Sequence, residues 1–145
     1  AYEIASCLVG SEMCIRDRYL IDLPNIKWLL ENAITIDPDW QKGTLSAAMM
    51  SVYLNDLSRD KNAQKIALSY FDLADKHSYG LNASIYVTLA ENYAVSKQDK
   101  KLFIELLDKA LDIDVNKDKS FKQSNKLSQS RAKWLKSRVD DLFYM

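Results

Sequence analysis

Tyr86-Val87-Thr88-Leu89-Ala90-Glu91-Asn92-Tyr93, followed by a polar turn and then Asp99 to the ending Lys109-Ala110-Leu111-Asp112-Ile113-Asp114, decides how this sequence folds. Tyr86, Leu89, Ala90 and Tyr93 recur at the three-and-four spacing that puts them on one side of a helix. Ala90 and Ala110 are small enough to let two helices approach closely, while Tyr86, Tyr93 and Leu106 fill the space around that contact. A helix pair of this kind keeps one apolar face uncovered until another pair stacks on it.

The same ending occurs upstream as Glu31-Asn32-Ala33-Ile34-Thr35-Ile36-Asp37-Pro38, with a weaker echo at Phe71-Asp72-Leu73-Ala74-Asp75-Lys76. Ala33, Ala74 and Ala110 are separated by irregular intervals near one unit length, and the Tyr86 to Asp114 unit has the spacing of a tetratricopeptide (TPR) hairpin. The first helix enters at Leu23-Pro24-Asn25, with Asn25 or Asp22 available as cap, and carries Ile26, Leu29, Leu30, Ala33 and Ile34 on one face. Asp37-Pro38 stops it, because a residue before proline is pushed out of the helical region. A second helix is predicted over about Gln41 to Leu57, burying Leu45, Ala48, Met49, Val52 and Tyr53. A third runs from Ala63 to His77, burying Ile66, Ala67, Tyr70, Phe71 and Ala74. Gly80 supplies a left-handed C-cap and Asn82 starts the next helix, Ala83 to Val95. Asp99 to Ile113 and a long helix from Phe121 to Leu142 complete the set, with Ser128, Ala132, Leu135, Val139 and Leu142 on one stripe. The expectation is an all-α protein of irregular TPR-like hairpin repeats over residues 19–116, with a linker and C-terminal capping helix over 117–145.

Composition agrees. Of 145 residues, 48% are hydrophobic and 28% charged, with three Gly and two Pro. That fits an ordinary folded domain with few hairpin turns. The formal charge balances to zero, so nothing global favours nucleic acid or an anionic membrane. No run approaches the roughly eighteen apolar residues of a membrane span. Residues 1–18 stand apart: Ser6-Cys7-Leu8-Val9-Gly10-Ser11-Glu12-Met13-Cys14-Ile15-Arg16-Asp17-Arg18 resembles a translated sequencing adapter, to be set aside like a fusion scar. Both cysteines lie in it, at a spacing that fits no common zinc pattern.

The order of the pieces carries a more specific likeness. Ala33-Ile34-Thr35-Ile36-Asp37-Pro38-Asp39-Trp40 is followed by Gly43, then by Ala67, Phe71 and Ala74, then by Asp99-Lys100-Lys101-Leu102-Phe103-Ile104-Glu105-Leu106-Leu107. Asn125-Lys126-Leu127-Ser128-Gln129-Ser130-Arg131-Ala132-Lys133-Trp134-Leu135 closes the series before Asp141-Leu142-Phe143. Together, over nearly all of Tyr19 to Phe143, they resemble the C-terminal part of the T-component family of TRAP transporters, whose fold consists of irregular TPR-like repeats. His77-Ser78-Tyr79-Gly80 replaces a more glycine-rich turn, and Asp114-Val115 lacks the proline. The resemblance implies a non-enzymatic accessory protein of the bacterial periplasm, lipid-anchored through an upstream cysteine. Such a protein docks with the transporter's periplasmic substrate-binding protein and helps capture a small hydrophobic ligand. By the same resemblance the anchor and first repeats stand upstream of these residues, and Cys7 is not that anchor.

The residues themselves offer no catalytic site. His77 is the only histidine, placed at a helix end whose dipole it suits, and no nucleophile, base and orienting acid assemble around it. There is no phosphate-cradling glycine loop. No metal ligands and no cofactor are expected. Tyr53, Tyr70, Tyr86 and Tyr93 read as core with polar tips. If the first helices of successive pairs line a concave face, the register opens Thr44, Ala47, Ser51 and Asn55 from one helix and Ser84, Val87 and Glu91 from another. These small or polar side chains are the candidate ligand or partner groove. Eight Lys or Arg lie between Lys117 and Arg138 against Asp118 alone, with Lys122, Lys126, Lys133 and Lys136 on one face. Trp134, the aromatic set among the cations of the last helix, is placed to stack with Arg131 or Arg138, so a solvated or partner-docking face is expected and not a nucleic-acid surface. A generic cytoplasmic TPR scaffold binding peptide tails is the alternative function, and self-association is left open. The peptide scaffold would line its groove with cations to clamp a carboxylate, and this groove has few.

Replacing Ala90 or Ala110 with Leu is expected to overpack the closest helix contact and destabilise the fold by about 1–3 kcal/mol in chemical denaturation. Neutral results at both positions contradict the register.

Overall fold

Pro38 and Gly43 bracket the turn around which the helices are arranged. A computed structural model describes residues 22–55 and 61–143, and every regular element among them is helical. Residues 1–18 of the expected leader, and most of the polar loop after the second helix, lie outside the described residues. Helix α1 covers 22–36, with Pro24 in its first turn, where a missing N–H is harmless. It stops before Pro38, as the sequence predicts.

The next helix does not begin at Gln41. Gln41, Lys42 and Gly43 take φ of 45°, 57° and 83°, a left-handed run that no right-handed helix can include. Helix α2 therefore starts at Thr44 and spans Thr44–Leu54. Packing restricts what can stand at its end. A Cβ on Gly43 would lie 2.9 Å from the His77 Cβ and 3.3 Å from the Ala74 backbone, so the chain passes where only glycine fits. Asp39 on the same turn pairs with His77, fastening it to the end of α3 (Lys61–His77).

Tyr79 and Gly80 form the left-handed exit from α3, and Asn82 caps α4 by accepting from the Ser84 N–H at 3.1 Å. Helix α4 comprises Ala83–Leu89, a wider π-turn at Ala90–Ala94 and Val95–Lys97, two residues beyond the predicted end. Gln98, left-handed, ends it, and the Asp99 carboxylate accepts from the Leu102 N–H to cap α5 (Lys100–Asp112). The predicted long last helix is broken: α6 (Lys122–Ser137) halts at Arg138, and a single turn, α7 (Val139–Leu142), follows.

Helices α2 and α3 pack side by side, while α4, α5 and α6 pack against one another in a triangle. Phe103 and Leu107 of α5, Leu89 of α4 and Leu135 of α6 meet in one buried cluster that extends to Met50 of α2. Each side chain of that size contributes roughly 1.5–3 kcal/mol on leaving water. Ala90, Ala94, Ala110 and Ala132 are all 0% exposed, the small-residue contacts that let the three helices close. Phe143 folds back onto Phe103 with ring centroids 5.0 Å apart, edge to face. Two members of the predicted stripes stay outside. Leu29 is 59% exposed and Ile66 37%, because the described residues put nothing over those sides of α1 and α3.

Polar groups from α6 tie the layers. The Asn125 amide accepts from the Ala83 N–H at 2.9 Å and donates to the Leu81 carbonyl at 2.7 Å. Gln129 donates to the carbonyls of Ala110, Leu111 and Ile113, which α5 leaves unpaired at its end.

Gly43→Ala is expected to destabilise the protein by about 2–4 kcal/mol in urea denaturation, combining a left-handed alanine with the close approach to His77 and Ala74. A change under about 0.5 kcal/mol contradicts the tight passage.

Candidate functional site

A line of small side chains on α2 faces the first turns of α4 and α6 across an open groove of about 610 Å³. That volume is within the range of small-molecule sites. Thr44, Ala47, Ala48 and Ser51 come from α2 and Ser84 from α4. Phe121 and Ser124 come from the start of α6, with Ser120 just before it, and Gln41 and Lys42 form the mouth. Asn82, the α4 cap, closes the wall.

Of the residues singled out in sequence, Thr44, Ala47, Ser51 and Ser84 line this groove together. The other three stand elsewhere. Val87 is 5% exposed and belongs to the core, because α4 is covered by neighbouring helices on the side the register leaves open. Asn55 lies past the end of α2 and donates to the Ser51 carbonyl at 2.8 Å. Glu91 accepts from Arg131 Nε at 2.6 Å, joining α4 to α6. The lining residues that sequence reasoning left out are Ala48, read as core, and Gln41, Lys42, Asn82, Ser120, Phe121 and Ser124, most of which come from turns and caps. Asp118-Lys119-Ser120 held a signal, an Asx turn in which the Asp118 carboxylate accepts from the Ser120 N–H at 2.9 Å.

Electrostatically the groove is balanced. Lys42 Nζ donates to the Asp118 carboxylate and, at 3.2 Å, to the Ser120 hydroxyl. The hydrogen bonds from Lys42 and then Ser120 hold the Asp118 carboxyl down to about 2. Several hydroxyls have already spent their hydrogens. Thr44 donates to the Gln41 carbonyl at 2.8 Å, Ser51 to the Ala47 carbonyl at 3.1 Å and Ser84 to Asn82 Oδ1 at 2.6 Å. They face an incoming molecule as acceptors.

The tyrosines behave as core. Burial, and then its hydrogen bond to Asp75, push the Tyr86 hydroxyl well above its ordinary value, and its ring meets Phe71 edge-on at 5.5 Å. Tyr53 and Tyr70 stack at 6.0 Å, with Lys27 Nζ 4.4 Å from the Tyr53 centroid. On α6, Arg131 and Arg138 both stack on Trp134, at 4.5 and 5.5 Å. Arg131, Lys136 and Arg138 are paired with Glu91, Asp108 and Asp141, so part of the basic stretch is neutralised within the fold. A smaller apolar cleft of about 320 Å³ lies between α1 and α2, lined by Ala33, Ile36, Asp37, Trp40 and Leu45. No helix among the described residues is long and apolar enough to cross a membrane.

The model of a protein family described as TRAP transporter T-component matches residues 16–143. The chain is also similar to an uncharacterized protein of Treponema pallidum (strain Nichols), 27% identical over 115 residues that cover 79% of this chain. Those residues span 36% of that relative, so the chain corresponds to about a third of its length. No solved structure matches.

A carboxyl whose folded value is depressed adds stability above its unfolded value and loses it as pH falls through the folded one. The Lys42–Asp118 clasp should therefore persist down through pH 3.8 and open only towards about 2. Carboxyl-detected NMR titration is expected to put the Asp118 midpoint near that lower value, and Lys42→Ala to raise it. A midpoint unchanged by Lys42→Ala contradicts the clasp.

Proposed function

Because the chain belongs to the TRAP transporter T-component family, we propose that it acts as a non-catalytic accessory of a TRAP-type transport system. In this reading it works in the periplasm, lipid-anchored in the intact protein, and docks with the system's substrate-binding protein. The groove between α2, α4 and α6 is its working surface, where a small ligand is held or handed over. The observation that carries the reading is one open concavity lined by the small side chains of α2 together with Ser84 of α4 and Ser124 of α6. A ligand can approach the helix backbones there without displacing bulky groups. The peptide-tail alternative lacks support in charge: Lys42 is the one cation among the lining residues and it is held by Asp118. A peptide carboxylate would have to break that pair.

Ser51→Trp fills the groove from the half-buried edge of α2 without touching the buried cluster. Its melting temperature and helical circular dichroism should match the parent, while affinity for the substrate-binding protein of the same system, by isothermal titration, should fall at least about tenfold, or 1.4 kcal/mol. A folded Ser51→Trp protein that binds like the parent overturns the groove as working surface.

A further inference from the structure

We infer that the groove takes a neutral, multiply hydroxylated small molecule, a polyol or saccharide; the inference rests on the reading of this groove as the working surface and names its ligand class. The central observation is Asn82. It is 5% exposed, yet it lines the groove. Its carboxamide orientation is fixed, because Oδ1 accepts both the Ser84 N–H at 3.1 Å and the Ser84 hydroxyl at 2.6 Å. Nδ2 is thereby turned away from α4, and among the described residues no acceptor meets it. No fully buried side-chain nitrogen or oxygen among the described residues lacks a partner, so this nitrogen keeps contact with solvent, and the groove is the concavity that Asn82 lines. A donor so placed calls for an acceptor on a ligand or a water.

The other walls complete the pattern. Ser51, Ser84 and Thr44 present oxygen lone pairs, their hydrogens spent on Ala47, Asn82 and Gln41. The Ser124 hydroxyl lines the groove as donor and acceptor both. A group that accepts from Asn82 while donating to a neighbouring serine oxygen is a hydroxyl, and several such positions in one groove ask for several hydroxyls. Phe121, with Ala47 and Ala48, gives an apolar floor suited to the C–H face of a ring.

Two other ligand classes fit less well. An anion would find Lys42 already matched by Asp118, with no further cation in the lining. An apolar ligand would strip water from Asn82 Nδ2 and from the serine oxygens without replacing it, at about 1–3 kcal/mol for each group left unmet. The ligand class inferred here thus differs from the hydrophobic ligand that the family resemblance implies.

The test is a ¹⁵N-detected NMR titration with four probes: myo-inositol, maltotriose, succinate and 1-hexanol. The two neutral polyols should shift the Asn82 side-chain NH₂ and the amides of Ser51, Ser84 and Ser124, and the other two should not. Asn82→Asp keeps the capping oxygen, since Asp caps helices as well as Asn, but removes the donor. It should melt like the parent and weaken polyol binding at least about fivefold. Ser124→Ala, on the exposed side of α6, should weaken it about twofold to fivefold with no effect on folding. The inference is overturned if the polyols leave these resonances unmoved, if succinate or hexanol moves them instead, or if Asn82→Asp and Ser124→Ala bind polyols like the parent. Each of those results is independent of binding to the substrate-binding protein, so the docking reading stands or falls separately.

Discussion

The passage of Gly43 against Ala74 and His77 is the constraint from which the rest of the arrangement follows. With 2.9 Å between a notional Cβ and His77, only glycine fits there, and it takes a left-handed φ together with Gln41 and Lys42 beside it. Two non-glycine residues in that conformation cost about 1–2 kcal/mol each, so they need compensation from their surroundings. The Asp39–His77 pair and the Lys42 contacts to Asp118 and Ser120 supply it. The turn thereby touches the end of α3 on one side and the entry to α6 on the other. It fixes the mouth of the groove as a by-product of packing.

Much of this fold was legible in the sequence. Helical spacing identified the faces of α2 to α6, the endings at Asp37-Pro38 and Asp112-Ile113, the Asn82 cap, and the fully buried Ala90 and Ala110. These features are local, and local periodicity reports them. The errors share one cause. Periodicity states which side of a helix is apolar but not which neighbours arrive on the remaining sides, so Val87 read as open although α4 is enclosed. Gln41 read as helix although it takes a left-handed φ of 45° in the turn before Gly43, a conformation that periodicity does not report. About a third of the groove was visible, in Thr44, Ala47, Ser51 and Ser84. Most of the rest comes from turns and helix caps whose positions depend on tertiary contact.

The basic stretch before and along α6 illustrates how a charge count misleads without partners. Glu91, Asp108 and Asp141 each pair with a cation from this region, while Asp118 within it pairs with Lys42 from the turn before Gly43. Trp134 sits between two guanidinium groups and so is occupied on the exposed side of the helix. What reads in sequence as a cationic patch is in part a set of struts holding α6 to α4 and α5.

Asn125 and Gln129 deserve a last consideration, for what they imply about cooperativity. Stacked helical pairs ordinarily behave as one-dimensional arrays, in which an end unit can fray while its neighbours persist. Here two amides on α6 complete the hydrogen bonding of two earlier junctions, Leu81–Ala83 and Ala110–Ile113. Detaching α6 would orphan polar groups in both places at once and take Ala132 and Leu135 out of the shared core. The partly unzipped states open to a simple array are thus raised in energy. The molecule should hold or release its groove as a unit, and the groove's three walls owe their fixed spacing to that all-or-none character.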